Sequence, residues 1–287
     1  MIILDGIQAR QSRIEALRSK RERLLRAPTL LIIQVGDAAD STLYIEQKKK
    51  LGTKVGARVF HERFPVDVTE SILIDRICGA NEDHAIDGII VQLPLPAHLS
   101  YLSIINAIDP QKDVDGLTDE NQRLLREGRP RYVPATARGV LSLLDYYGIE
   151  LSGKRAVVMG RSRLVGGPVA HALSLRGASV SVCHSQTPDP KTITTTAEIL
   201  VVAIGRPRYV DASYVGKGVV VVDVGINVDD HMRSHALQEE IPKRAIVGDV
   251  DHSSVELVAS ALSPVPGGVG PMTVISLLEN LFDATEK

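Results

Sequence analysis

Apolar runs of strand length that do not alternate constrain this chain more than any other feature. Thr29-Leu30-Leu31-Ile32-Ile33-Gln34-Val35, Ala156 to Met159, Ile199 to Ile204 and Val219 to Val224 are each nearly continuous in apolar residues. A strand that is apolar on both faces must be covered on both, and that happens where helices flank a parallel sheet. With no Trp and three Phe, the core has to be aliphatic, and its β-branched members suit buried strands. The predicted class is α/β, and 287 residues at 44% apolar suit two domains with cores of their own.

Helical patterns lie between the strands. Gln8 to Leu25 is charged and amphipathic, Ser41 to Leu51 follows with Ser41 as its predicted N-cap, and Ser71 to Asn81 precedes a strand at Gly88 to Leu93 that Pro94 and Pro96 stop. A polar, Arg-rich stretch from Asp119 to Pro134 interrupts the alternation. Beyond it Gly139 to Tyr147 is helical, and strands recur at Ala156, at Ser179 to Cys183, at Ile199 and at Val219. The terminal helical pattern, Thr273 to Phe282, is placed to return to the first domain. We expect an N-terminal α/β domain over residues 1–138, completed by a C-terminal helix over 271–287, and a second domain with a mostly parallel sheet over 139–270.

The second domain carries the clearest cofactor signal. After the strand at Ala156 comes Gly160-Arg161-Ser162-Arg163-Leu164-Val165-Gly166-Gly167-Pro168, then the helical run Val169 to Leu175. Strand, glycine turn and helix start make a Rossmann-like anion site, where unpaired N–H groups and the positive helix end hold a pyrophosphate. The spacing departs from G-x-G-x-x-G, since Ser162 replaces the second glycine and the last comes one residue late. Read alone, the segment is also compatible with a structural turn. The following strand ends in Val182-Cys183-His184-Ser185-Gln186-Thr187 without the acid that an NAD site places on the ribose hydroxyls. Arg161 and Ser185 suit a 2′-phosphate instead, which favours NADP over NAD. The competing reading is an exposed arginine and a strand-end serine.

In the first domain Tyr44 and Lys48 stand four apart on one helical face, so a ring and an amine point the same way. Lys49, Lys50 and partial burial would disfavour the charged amine and bring it nearer to acid/base duty, although a lysine run on a helix equally describes a solvated face. Gln92, within Val91-Gln92-Leu93-Pro94-Leu95-Pro96, ends a strand where open α/β sheets present ligand contacts. Lys112-Asp113-Val114-Asp115-Gly116 sets two acids before a glycine turn, suited to accepting from ligand N–H groups or simply to a polar turn. Near the C-terminus, Ser263-Pro264-Val265-Pro266-Gly267-Gly268-Val269-Gly270-Pro271-Met272-Thr273 combines fixed φ at proline with close approach at glycine, a narrow ligand wall or else a linker.

Other classes fit less well. A net charge of −2 and the absence of a basic stripe argue against nucleic acid, and no run reaches membrane-span length or reads as a signal peptide. Cys78 and Cys183 form no CxxC, no acid cluster has a histidine at metal spacing, and Asp249-Val250-Asp251-His252 reads as a polar loop. A cytoplasmic enzyme with a small-molecule partner and no metal is expected.

In order along nearly the whole chain, the motifs Ser41-x-x-Tyr44-x-x-x-Lys48, Val91 to Pro96, Lys112 to Gly116, Gly160 to Pro168 and Pro264 to Pro271 closely resemble the bifunctional methylenetetrahydrofolate dehydrogenase/methenyltetrahydrofolate cyclohydrolase family. The resemblance implies that Tyr44 stacks on folate, Lys48 is the catalytic amine, Gln92 supports it and Asp115 binds the pterin. It further implies folate contacts at Val91, Leu93, Pro264 and Gly268, NADP contacts at Gly160, Arg161, Ser162, Val165, Gly166, Ser185 and Ile204, and a homodimer. Three departures stand out. Ala135 and Ala137 replace a cysteine and a proline of the family's interdomain segment, which predicts a looser hinge. Asn121-Gln122-Arg123-Leu124 departs from the family's Asn-x-Gly-basic run, which puts the local turn in question. At 287 residues no room is left for a formyltetrahydrofolate synthetase domain. A dehydrogenase without the hydrolase, a shikimate-type NADP enzyme and a non-catalytic folate or nucleotide binder are the alternatives.

Overall fold

The computed structural model describes residues 1–228 and 246–286. In chain order its elements begin with β1 (Ile2–Ile3), α1 (Gly6–Arg21), β2 (Thr29–Val35), α2 (Ala39–Val55), β3 (Arg58–Phe64), α3 (Glu70–Glu82), β4 (Gly88–Val91), α4 (Tyr101–Asn106), α5 (Asp119–Arg126) and α6 (Ala135–Tyr146). They continue with β5 (Arg155–Met159), α7 (Gly166–Leu175), β6 (Ser179–Cys183), α8 (Pro190–Thr194), β7 (Ile199–Val202), β8 (Val220–Asp223), β9 (Asn227–Val228), β10 (Ile246–Val247), α9 (His252–Val255), β11 (Ala261–Leu262) and α10 (Val269–Thr285). Two compact units result, one of Arg10–Ala135 with Val274–Lys287 and one of Met1–Ala9 with Thr136–Thr273. The division falls within α1, α6 and α10 and not in the polar stretch from Asp119 to Pro134, whose first half is α5.

The first unit is built on a parallel sheet in the order β3-β2-β4. Its centre is β2, whose seven residues are all buried, and each fully buried Leu or Ile there contributes about 1.5–3 kcal/mol relative to exposure. The one amide in that strand, Gln34, is satisfied on both sides: its Nε2 donates to Thr42 Oγ1 at 3.2 Å and its Oε1 meets His61 Nε2 at 2.8 Å. Sequence patterning passed over β3 because it is an edge strand, half exposed, and spends its charges outward, as in the Arg76 pair with Glu62 at 2.7 Å. Ser41 is not the N-cap of α2. The helix starts two residues earlier at Ala39, and the Ser41 hydroxyl turns to the Leu93 carbonyl at 3.4 Å.

From Val274 onward α10 belongs to this unit and supplies Ile275, Leu277, Leu278, Leu281 and Phe282 to its core. Its one fully buried amide, Asn280, donates through Nδ2 to the carbonyls of Val114 at 2.8 Å and Val133 at 3.0 Å.

The second unit contains a six-stranded parallel sheet in the order β1-β11-β8-β7-β5-β6. The N-terminal residues Ile2 and Ile3 add its edge strand by pairing with Ala261 and Leu262, so residues 1–9 lie here and not in the first domain where the sequence placed them. Strands β5, β7 and β8 are the continuous aliphatic runs, and Val157, Leu200, Val202 and Val221 form their shared core with Leu262. Among the described residues no helix is long and apolar enough to cross a membrane.

Asn280→Ala removes the amide donor from the buried Val114 carbonyl and the partly buried Val133 carbonyl. Stability of the first unit is expected to fall by on the order of 1–3 kcal/mol, read as a shift in the urea unfolding midpoint followed by circular dichroism. A midpoint equal to the parent's would show that the α10 amide contributes nothing to holding the Val114 segment.

Candidate active site

The first unit gathers its polar groups at the C-terminal ends of β2 and β4. Gln92 directly follows β4, and its N–H bonds the Ile33 carbonyl at 2.8 Å, which extends the parallel pairing by one residue. Its side-chain Nε2 donates to the Leu93 carbonyl at 2.9 Å, leaving Oε1 to accept from Lys48 Nζ at 2.8 Å. A charged amine carries donors and no acceptor, so the amide is turned the one way that suits it. Tyr44 sits one turn before Lys48 on α2 and is half-buried, while Val91 is buried beneath the strand end.

Asp115 completes the group electrostatically. Both Lys48 and Asp115 keep some exposed surface, yet protein surrounds their charged ends. Burial lowers the Lys48 amine below the usual lysine range, and the Asp115 charge opposes that shift. Burial likewise pushes the Asp115 carboxyl up to about 6, with Lys48 pulling it down and Asp113 adding to the rise. The lysine run therefore divides by position. Lys49 turns away to pair with Glu46 at 2.7 Å, and Lys50 is exposed.

The two acids of the Asp113-Val114-Asp115 run do different work. Asp113 is buried and spends its carboxylate on the turn, accepting from the N–H groups of Gly116 at 3.0 Å, Leu117 at 3.1 Å and Thr118 at 2.8 Å. Asn121 Nδ2 adds a fourth donor at 2.8 Å, and Gln122 Nε2 holds the Gly116 carbonyl at 2.7 Å. The turn that the sequence put in question is thus held by Asn121, which fits the family's Asn-x-Gly-basic run, and by Gln122 at its variable position, while the departures are the next two residues, Arg123 and Leu124. At the neighbouring departure Ala135 is buried and its N–H reaches the Asp115 carbonyl at 3.3 Å.

The second unit presents its candidate site at the C-terminal ends of three adjacent strands, β7, β5 and β6. Gly160 follows β5 at φ +116°, and a Cβ there would strike the Ala203 carbonyl oxygen, so only glycine fits. Gly166 packs as closely on the Gly160 carbonyl. Ser162 occupies the irregular glycine position because its Oγ accepts from the N–H groups of Val165 at 3.2 Å and Gly166 at 3.3 Å, capping α7 from outside. Arg161 reaches across to the loop after β6, with Nη2 donating to Gln186 Oε1 at 3.0 Å and Nη1 lying 3.4 Å from His184 Nε2. Ser185 is exposed beside it. Ile204 lies beyond the end of β7, in a loop where the sequence placed strand. Backbone donors, a glycine cradle and a guanidinium suit a dinucleotide phosphate. Pro264 and Gly268 also lie in this unit, in a tight loop where the Gly268 N–H bonds the Pro264 carbonyl at 2.8 Å and Gly267 accepts from Gly6 at 2.8 Å. Among the described residues no group of three His, Cys, Asp or Glu is arranged to hold a metal ion.

Comparison with known proteins gives this arrangement a family. The model for the tetrahydrofolate dehydrogenase/cyclohydrolase catalytic domain matches residues 4–115, and that for the NAD(P)-binding domain of the same family matches residues 134–287. The chain belongs to the tetrahydrofolate dehydrogenase/cyclohydrolase family. The bifunctional protein FolD 2 of Pseudomonas syringae is 44% identical over 261 residues, covering 91% of this chain and 84% of that protein. A cytoplasmic C-1-tetrahydrofolate synthase of Schizosaccharomyces pombe is also 44% identical, but the match spans only 27% of its length. The crystal structure of the bifunctional FolD enzyme of Campylobacter jejuni superposes with a TM-score of 0.91 at 37% identity, covering 100% of this chain and 99% of that one. The Trypanosoma brucei methylenetetrahydrofolate dehydrogenase-cyclohydrolase, solved with NADP and an inhibitor, gives 0.91 at 35% identity, with coverage of 100% and 97%. A shikimate dehydrogenase of Aquifex aeolicus shares only the fold, at 12% identity and a TM-score of 0.51.

A carboxyl raised to about 6 is ionised above that value and protonated below it. If ionised Asp115 receives the folate, kcat/KM for methylenetetrahydrofolate falls as pH drops through about 6, because that parameter reports the free enzyme. Asp115→Asn is expected to abolish this acid limb along with most of the activity. An acid limb that persists unchanged in the variant would assign the titration to another group.

Proposed function

We propose that one pocket of the first unit serves both reactions of the family, oxidation of 5,10-methylenetetrahydrofolate to the methenyl compound and its hydrolysis to 10-formyltetrahydrofolate. The observation that carries this reading is the desolvated Lys48 amine held by Gln92, with the Asp115 charge acting on it. In this scheme Asp115 accepts from N–H groups on one edge of the pterin and Tyr44 stacks against the ring. Val91 and Leu93 are further folate contacts of this unit. Loss of hydride is driven by a nitrogen lone pair of the folate and needs orientation more than a base, so Tyr44 and Asp115 serve it by positioning. Hydrolysis differs, because adding water and opening the ring both move protons. Lys48 belongs to that half: an amine lowered from the usual lysine range exchanges protons more readily near neutrality, and Gln92 fixes where it points.

NADP is the cofactor that this reading assigns to the second unit, and when bound it supplies the hydride acceptor. Gly160, Ser162, Val165 and Gly166 would hold its pyrophosphate, Arg161 and Ser185 its 2′-phosphate, and Ile204 the adjoining part. Support comes from the family's NAD(P)-binding domain and from the trypanosomal relative solved with NADP. A cytoplasmic homodimer belongs to the same proposal. The fungal relative is named as cytoplasmic, and a solution mass of one chain alone, 31.1 kDa, would rule the dimer out.

Two substitutions test the assignment in a coupled spectrophotometric assay. Lys48→Met keeps side-chain length and deletes the amine, so methenyl hydrolysis is expected to fall about 10²–10⁴-fold while methylene oxidation survives and the methenyl compound accumulates. Hydrolysis at the parent rate would reduce Lys48 to a structural lysine. Arg161→Ala is expected to weaken NADP⁺ by about 1.5–3 kcal/mol and leave NAD⁺ use nearly unchanged. Equal losses with both cofactors would move Arg161 from the 2′-phosphate to the pyrophosphate or to folding.

A further inference from the structure

Asp249 reads from sequence as part of a polar loop after β10, yet the structure buries it completely. Its Oδ2 accepts from the N–H groups of Ile204 at 2.7 Å and Gly205 at 2.9 Å. Its Oδ1 accepts from the Arg206 N–H at 2.8 Å and from Asn227 Nδ2 at 2.9 Å. Three successive peptide planes of the loop after β7 are thus pinned by one carboxylate. Asp249 is itself held from β8. The carboxylate of Asp223, equally buried, accepts from the N–H groups of Asp249 at 3.0 Å and Val250 at 3.0 Å, and a Cβ at Gly225 would collide with the Asp249 carboxyl.

A buried acid is costly unless donors surround it, and here the donors are the backbone of one particular loop. That loop lies at the C-terminal edge of a parallel sheet, beside the Gly160 turn, where its shape decides what the edge can receive. We propose that Asp249 is a positioning residue for the cofactor site: it holds Ile204, Gly205 and Arg206 in the conformation that receives NADP, so that binding does not have to order the loop. The inference rests on the reading of Ile204 and Arg161 as cofactor residues.

Asp249→Asn keeps the volume but turns an amide donor toward N–H groups. Its KM for NADP⁺ is expected to rise at least tenfold while kcat at saturating NADP⁺ stays within threefold, and hydrolysis of added methenyltetrahydrofolate, which consumes no NADP⁺, falls less than twofold. Asn227→Ala removes one partner of the carboxylate and leaves the loop contacts, so it should shift KM in the same direction by about threefold; it decides the matter if Asp249→Asn does not fold. Arg161→Ala serves as the reference for the site. If Arg161→Ala weakens NADP⁺ and neither Asp249→Asn nor Asn227→Ala does, the positioning role is overturned and the site stands. If no variant affects NADP⁺ binding by calorimetry, the cofactor reading itself fails. Loss of oxidation and hydrolysis together, with a lowered melting temperature, would make Asp249 a folding residue only.

Discussion

Lys48 and Asp115 carry opposite charges into surroundings that solvate neither well, and their shifts converge: the amine is lowered and the carboxyl is raised to about 6. Burial is the largest cause of both, and each group's charge limits the shift of the other. Neither shift would survive on an exposed helix face. The pair depends on Lys48 being drawn inward to Gln92 while Lys49 is held outward by Glu46.

The scaffold exists to keep those few groups in place. β2 contributes the apolar centre against which β4 lies in parallel register, Leu30 to Gly88 and Ile33 to Val91, so that Gln92 emerges at the sheet edge with its amide orientation already set. Asp113 collects backbone N–H groups to shape the turn that carries Asp115, and Asn280 of α10 anchors Val114 between them. The second unit repeats the device, with the carboxylate of Asp249 gathering the N–H groups of the loop after β7. In both units a buried acid shapes the backbone beside the candidate site residues.

Much of this was legible in the chain itself. Continuous aliphatic runs identify β2, β5, β7 and β8 because strands buried on both faces carry no alternating pattern to blur them. The lysine and tyrosine four apart on α2, the glutamine after β4 and the glycine turn after β5 each also read as a solvated face or a plain turn, and it is their order along the chain that resembles the family. What escaped depends on distant partners. β3 carries its charges outward as an edge strand, and Ser41 follows a carbonyl from another segment instead of capping its helix. Arg123 and Leu124 put the local turn in question, yet the turn is held by Asn121 reaching Asp113 eight residues away. Asp249 has the composition of a surface loop and becomes a structural centre only through donors more than forty residues distant. Local pattern carries none of those bonds.

The central claim is that desolvation tunes the Lys48 amine, and a lysine titration tests it directly. With ¹³C-labelled lysine in the ligand-free enzyme, the Cε resonance that vanishes from the spectrum of a protein lacking the Lys48 amine should titrate clearly below the ordinary lysine value of about 10.4. A spectrum in which every lysine titrates together near that value would contradict the account, leaving Lys48 solvated and unfit for the proton transfers assigned to it.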